Sequence, residues 1–143
     1  MPLHEDEIKN RIDRAIHRLL ETQPDIFRFT SQTNQTEWNL AHHLANEIHK
    51  EFPELNCDVD LIKPNYENRR PDIVLHKRGT HADNCLVIEV KRDEAQMHED
   101  LDKIVRYWFV PPLNYQFGAS VVLNEKGHLV IVIKNTASLS KNS

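Results

Sequence analysis

In the run Cys85-Leu-Val-Ile-Glu-Val-Lys91 a carboxylate and an ammonium stand two residues apart inside an otherwise apolar stretch. Read as a β-strand with alternating side chains, Leu86, Ile88 and Val90 share one face and Cys85, Val87, Glu89 and Lys91 the other. Glu89 and Lys91 then lie side by side, about 6–7 Å apart at Cα. Burying such charges is expensive unless they are paired or bound to a metal. The stretch Asp72-Ile-Val-Leu-His76 repeats the pattern, with Asp72, Val74 and His76 on one face and Ile73 and Leu75 on the other. Suppose the two stretches form a hairpin closed by the eight residues Lys77 to Asn84, with His76 opposite Cys85. Antiparallel pairing then sets Asp72 opposite Glu89, with Cβ atoms about 4.5–5.5 Å apart. Two carboxylates that close repel unless a cation sits between them. Hard oxygen ligands with room for water suit Mg²⁺ or Mn²⁺, and Lys91 on the same face can hold and polarise a water beside the metal. That set serves metal-assisted attack of water on a phosphodiester. A one-residue slip in register would dissolve it.

A further acid, Glu37, falls on the stripe Leu40, Ala41, Leu44 and Ile48 at the start of a helix. It reads either as an inward-facing acid or as a first-turn acid favoured by the helix dipole. Around the central motif stand Arg69, Arg70, Lys77, Arg78 and Arg92, expected to flank the site and clamp phosphates, with Tyr66 available to stack on a base. Asp100 and Lys103, at i,i+3 on a helix, read as a surface ion pair. Trp38 and Trp108 read as core or interface anchors, and His42 as a boundary residue. Cys57 and Cys85 sit in apolar contexts, and neither belongs to a C-x-x-C pair. They read as buried, reduced thiols in a cytoplasmic protein.

Positioning these groups requires a definite order of elements. Ile8, Ile12, Ala15, Ile16, Leu19 and Leu20 recur at helical spacing, which predicts a helix over 5–21, ended by Gln23-Pro24. A second helix is expected from Asn34 or Thr36 to about Glu51, closed by Pro53. Strands are expected over Cys57 to Lys63, Asp72 to His76 and Cys85 to Lys91, with a polar loop at 64–70 between the first two. A helix from about Asp93 to Trp108 follows, with Met97, Leu101, Ile104, Val105 and Trp108 inward and Pro111-Pro112 beyond it. Strands over Gln116 to Leu123 and His128 to Ile133 flank a turn at Asn124 to Gly127. Residues 136–143 read as a frayed polar tail. The expectation is one α/β domain across residues 1–143, with a core at 35–133.

Composition sets the outer bounds. A length of 143 residues suits one domain, and the formal charge of −4 disfavours a chain that coats nucleic acid. The charge is uneven: residues 1–62 carry −6, residues 63–92 carry +3, and residues 93–143 carry −1. The basic segment is the one that holds Asp72, Glu89 and Lys91. No apolar run is long enough to span a membrane, and the first residues do not read as a secretory signal.

Pro71-Asp72, then Glu89-Val90-Lys91 on the next strand, in α-β-β-β-α-β order, resembles the PD-(D/E)XK nuclease superfamily. The likeness covers roughly residues 35–125. The stretches R-R-P-D-I-V-L-H and L-V-I-E-V-K, with D-L-D-K-I at Asp100 to Ile104, are similar to small bacterial members. The chain has decoys, Pro24-Asp25 and Glu7-Ile8-Lys9; adjacent strands 17 residues apart distinguish the second set. The resemblance implies a restriction-endonuclease-like αβββαβ core, a mixed central sheet flanked by helices, with the helix at 5–21 outside it. It implies that Asp72 and Glu89 bind Mg²⁺ or Mn²⁺, that the Val90 backbone carbonyl completes the coordination, and that Lys91 positions the attacking water. Glu37 matches the acid that many members carry on the first core helix. The implied activity is metal-dependent hydrolysis of DNA, often by homodimers because two strands need cutting, with the helix at 5–21 the first candidate for the interface. Two alternatives stand beside it. One is an inactive module of the same fold that binds nucleic acid or protein. The other is an unrelated α/β protein in which Asp72, Glu89 and Lys91 form a structural ion cluster.

Overall fold

The computed structural model describes residues 3–27, 36–59, 72–80 and 82–136. Helix α1 spans Glu5–Thr22 and α2 spans Thr36–Glu51. Strands β1 (Asn56–Val59), β2 (Ile73–His76) and β3 (Leu86–Lys91) follow. A 3₁₀ turn at Glu94–Gln96 leads into α3 (Met97–Lys103) and a π-helical turn at Ile104–Trp108, and then come β4 (Phe117–Asn124) and β5 (Gly127–Lys134). The protein is therefore α/β, with a five-stranded mixed sheet in the order β1-β2-β3-β4-β5. Among the described residues only the β3–β4 pair is parallel, joined by the α3 crossover; the other three pairs are antiparallel.

Alternation along the strands makes two cores. Ile73, Leu75, Leu86, Ile88 and Val90 face α1 and α2, meeting Ile8, Ile12, Leu40, Leu44 and Ile48. Val74 and Val87 face the other way, onto Ile104, Trp108, Phe109, Leu113 and Tyr115. On α1 the stripe Ile8, Ile12, Ala15, Ile16 and Leu19 is fully buried, and the helix packs against α2 and β5. Its polar side is bound to α2. Arg18 reaches Glu47 Oε1 at 3.0 Å and Glu51 Oε2 at 2.6 Å, and Arg11 Nη1 donates to the Glu51 carbonyl at 2.9 Å. The apolar stripe of this helix, the first candidate for a dimer interface because it lies outside the expected core, is used within the chain.

The helix after β3 departs from a single regular α-helix. Asp93 accepts a hydrogen bond from Ala95 N, capping the 3₁₀ turn that precedes α3. Further on, Phe109 N–H donates to Ile104 O at 3.2 Å, an i→i+5 bond that widens the last turn. Ile104 and Trp108 stay buried while Val105, expected inward, is 50% exposed. Gly118 on β4 permits this close packing, since a Cβ there would collide with the Ile104 side chain. The two cysteines are free, as their sequence contexts suggested. Burial pushes the Cys57 thiol up to about 12 and that of Cys85 to about 11, so neither is a ready nucleophile. No helix among the described residues is long and apolar enough to cross a membrane.

Candidate active site

The β2–β3 hairpin pairs Ile73 with Ile88, Val74 with Val87 and Leu75 with Leu86. This is the register that sets Asp72, one residue before β2, opposite Glu89. At the hairpin's closed end the ladder stops sooner than expected. Cys85 N–H donates to Leu75 O at 3.0 Å, and Cys85 packs into the first core rather than facing His76. At the open end Val90 N–H donates to Asp72 Oδ2 at 2.7 Å, fixing that carboxylate beside the end of β3. Because N–H and C=O of one strand residue point to the same side, the Val90 carbonyl is turned toward β2 as well.

Glu89 and Lys91 alternate with Ile88 and Val90, which places them on the face covered by α3. Both are partly buried, as is Asp72. The Asp72 carboxyl acts directly on that of Glu89, through its charge and as a hydrogen-bonding neighbour, and both effects favour a protonated Glu89. Burial first, then the Asp72 charge and its hydrogen bonding, push the Glu89 carboxyl up to about 9; Asp100 adds to the rise and Lys91 opposes it. A carboxyl pair in this condition is a fit for a divalent cation, which would replace that proton and remove the repulsion. Asp72 and Glu89 would hold it, and the Val90 carbonyl is on the side where it could contribute. Among the described residues no three His, Cys, Asp or Glu side chains converge on one metal position. Water or substrate oxygens would therefore have to fill much of the shell, as Mg²⁺ commonly allows.

The structure adds two residues that the sequence reading did not place here. Asp100, expected as a surface partner of Lys103, is only 4% exposed and sits on the inward side of α3 between Met97 and Ile104. Lys103 instead approaches Glu99, at 3.8 Å. The signal was present in the spacing, since Asp100 is three residues after Met97 and four before Ile104. Ser120 is paired with Glu89 across the parallel β3–β4 ladder and is fully buried. Asp100 Oδ2 and Ser120 Oγ are both buried without a hydrogen-bond partner.

Lys77 and Arg78, expected to flank the site, lie past the opposite end of β2, about 20 Å along the strand from Asp72. Arg78 is engaged there, its Nη2 2.6 Å from Asp58 Oδ1, while His76 Nε2 lies 2.7 Å from Asp58 Oδ2. The Arg78 guanidinium, above all, holds the Asp58 carboxyl down at about 2. Lys77 donates to the Glu54 carbonyl. Arg92 is at the site's end of the sheet but pairs with Glu125 and lies 5.7 Å from the Phe27 ring centroid. It lines a cleft of about 600 Å³ with Asp93, Asn124, Lys126 and His128. Arg69, Arg70, Tyr66 and the tail at 137–143 lie outside the described residues. Glu37 stands in the first turn of α2, and its side chain and that of Trp38 are likewise outside them. The α2 stripe covers the face opposite Glu89.

Fold and site together define an α/β protein with an acidic pair and a lysine at one end of a mixed sheet. No known protein family, curated protein or solved structure matches the chain.

Proposed function

We propose that the protein is a divalent-metal-dependent nuclease of restriction-endonuclease-like fold, hydrolysing DNA phosphodiesters with Asp72, Glu89 and Lys91. The observation that carries this reading is the Asp72–Glu89 pair, set opposite by the hairpin register, in which burial and the Asp72 charge push the Glu89 carboxyl up. A carboxyl left in such an arrangement destabilises the fold, and such local costs concentrate at functional sites. Bound Mg²⁺ or Mn²⁺ would lower the pKa of a ligated water and offset charge building on the phosphate. Lys91, on the same face, donates a hydrogen bond to a water or to a phosphate oxygen and stabilises the charge that develops there.

The test is cleavage of a panel of duplex, single-stranded and branched DNA and of RNA. Cleavage should require Mg²⁺ or Mn²⁺, stop with EDTA, and fall at least about 100-fold in Lys91→Ala, the scale of losing one charge-stabilising group. A panel left wholly uncut overturns the enzyme reading. One observation favours a second reading, a non-cutting binding module: only two described carboxylates face each other, with no third ligand converging. Calorimetric titration with Mn²⁺ separates the two, because the module takes up no ion at this pair.

A further inference from the structure

The candidate site does not end at Lys91. Lys91 is paired with Val122 across the parallel β3–β4 ladder, and Val122 with Leu129 across β4–β5. Residues paired in a sheet share a face, so these three positions form one row over adjoining strands, about 4.8 Å apart. The row lies on the face of Glu89, because Val121, Leu123 and Val130, which alternate with Val122 and Leu129, pack toward α1 and α2. Val122 and Leu129 both line the cleft of about 600 Å³ that Arg92 borders. Leu129 is 43% exposed there, although it is a large apolar side chain. Glu94, from the 3₁₀ turn before α3, and Lys126, from the turn between β4 and β5, also line the cleft.

The chemistry of the cleft selects its occupant. Its volume is in the range of small-molecule pockets. Three acids, Asp93, Glu94 and Glu125, outnumber Arg92 and Lys126 along it, and Arg92 is already paired with Glu125. A track for phosphates would have the opposite balance. An apolar floor with a polar rim suits a flat, uncharged heteroaromatic group, which lays its face on Val122 and Leu129 and turns its edge to the rim. Acids on that rim accept hydrogen bonds from exocyclic amino groups. On a strand whose phosphate is held at Lys91, the group of this kind within reach is a nucleobase. We propose that the cleft takes one unpaired nucleobase next to the cleaved phosphodiester, so that the substrate is a single strand, or a duplex with a mismatched base, rather than a fully paired duplex. A paired base would have to leave its stack to reach this floor, and that cost is least where the base is already unpaired. The proposal rests on the assignment of Lys91 to the active site and adds the substrate class.

The test uses the full chain at low salt in EDTA, where binding is read without cutting, and fluorescently labelled DNA oligonucleotides. A single strand and a duplex with one mismatch should bind about tenfold or more tighter than the same duplex fully paired. Equal affinities, or no binding to any of the three, overturn the proposal. Leu129→Thr keeps the charge and a strand-forming residue. It should weaken single-strand binding about tenfold, the scale of one stacked base, and change paired-duplex binding less than about twofold. Leu129→Phe, with a broader face, should bind the single strand at least as well as the unaltered protein. An equal loss on single strand and paired duplex in Leu129→Thr overturns the proposal. A second measurement needs no variant. 2-Aminopurine placed at the mismatch should brighten when the unaltered protein is added, because it leaves its stack; unchanged brightness overturns the proposal. The two readings also fail separately. If the protein with Mg²⁺ cuts a fully paired duplex as fast as a single strand, the nuclease reading stands and the base site falls. If it cuts nothing while 2-aminopurine still brightens and Leu129→Thr abolishes this, the nuclease reading falls and the base site stands.

Discussion

Replacing Glu89 by Gln should make the metal-free protein more stable, and increasingly so as pH rises. In the folded chain the Glu89 carboxyl titrates near 9, against an ordinary 4.5. Between those values the folded state holds a proton that the unfolded state has released. Linkage then requires stability to fall with rising pH, by about 1.4 kcal/mol per pH unit for this one group. At pH 7 the cost is roughly 3 kcal/mol, a large fraction of a domain's net stability. Gln keeps the shape and can still donate to Asp72, but it has no proton to lose, so its profile lacks this slope. Urea unfolding of both proteins in EDTA, from pH 5 to pH 8, should show the variant's advantage growing by up to about 4 kcal/mol. At a hundred times Kd, Mn²⁺ should narrow the gap, adding about 2.7 kcal/mol to the unaltered protein and nothing to the variant. Parallel pH profiles in EDTA would refute the reasoning, because they would mean that Glu89 is not squeezed between burial and Asp72.

Asp58→Asn tests the other end of the sheet. There the carboxyl is depressed from 3.8 to about 2 by Arg78 and His76, so its contribution of about 2 kcal/mol is present above pH 4 and disappears as pH falls through 2. The variant's acid-unfolding curve should converge on that of the unaltered protein below pH 2, and a constant gap would sink the idea. Gly118→Ala should cost about 1–3 kcal/mol by thermal or urea unfolding, because the added methyl meets the Ile104 side chain. Ser120→Ala removes a buried hydroxyl with no partner, so in EDTA it should leave stability unchanged or raise it by about 1 kcal/mol. A loss of that size instead would show that the hydroxyl is bonded.

Much of the site was legible because a strand's side-chain period is two. With Ile73 and Leu75 on one face and Ile88 and Val90 on theirs, the supposed hairpin with His76 opposite Cys85 was a consistent register, and in it Asp72 meets Glu89. The same geometry should have removed Lys77 and Arg78 from the site, since Asp72 and Arg78 sit beyond opposite ends of one strand. Sequence proximity to the motif outweighed that simple distance. Asp100 was obscured by its charge, since an acid three residues before a lysine reads as a surface ion pair even where its spacing from Met97 and Ile104 points inward. A continuous α-helix over 93–108 makes Val105 part of the inward stripe. The 3₁₀ start and the π-helical turn change the phase, and neither has a sequence signal comparable to Gly or Pro. Ser120 was invisible for another reason. Its neighbour Glu89 is set by a parallel pairing whose register no hairpin turn dictates.

The two faces of the sheet carry different tasks. On the α1–α2 face, long aliphatic stripes interlock and arginines from α1 are bound by Glu47 and Glu51 on α2, an arrangement with ordinary structural value. The α3 face is the one on which Glu89 is held protonated while Asp100 Oδ2 and Ser120 Oγ go unpaired. Val74 and Val87, farther along the same face, pack onto Trp108 and Tyr115. A carboxyl held protonated, with the buried Asp100 Oδ2 and Ser120 Oγ on the same face, is the arrangement that the proposed cation site would relieve.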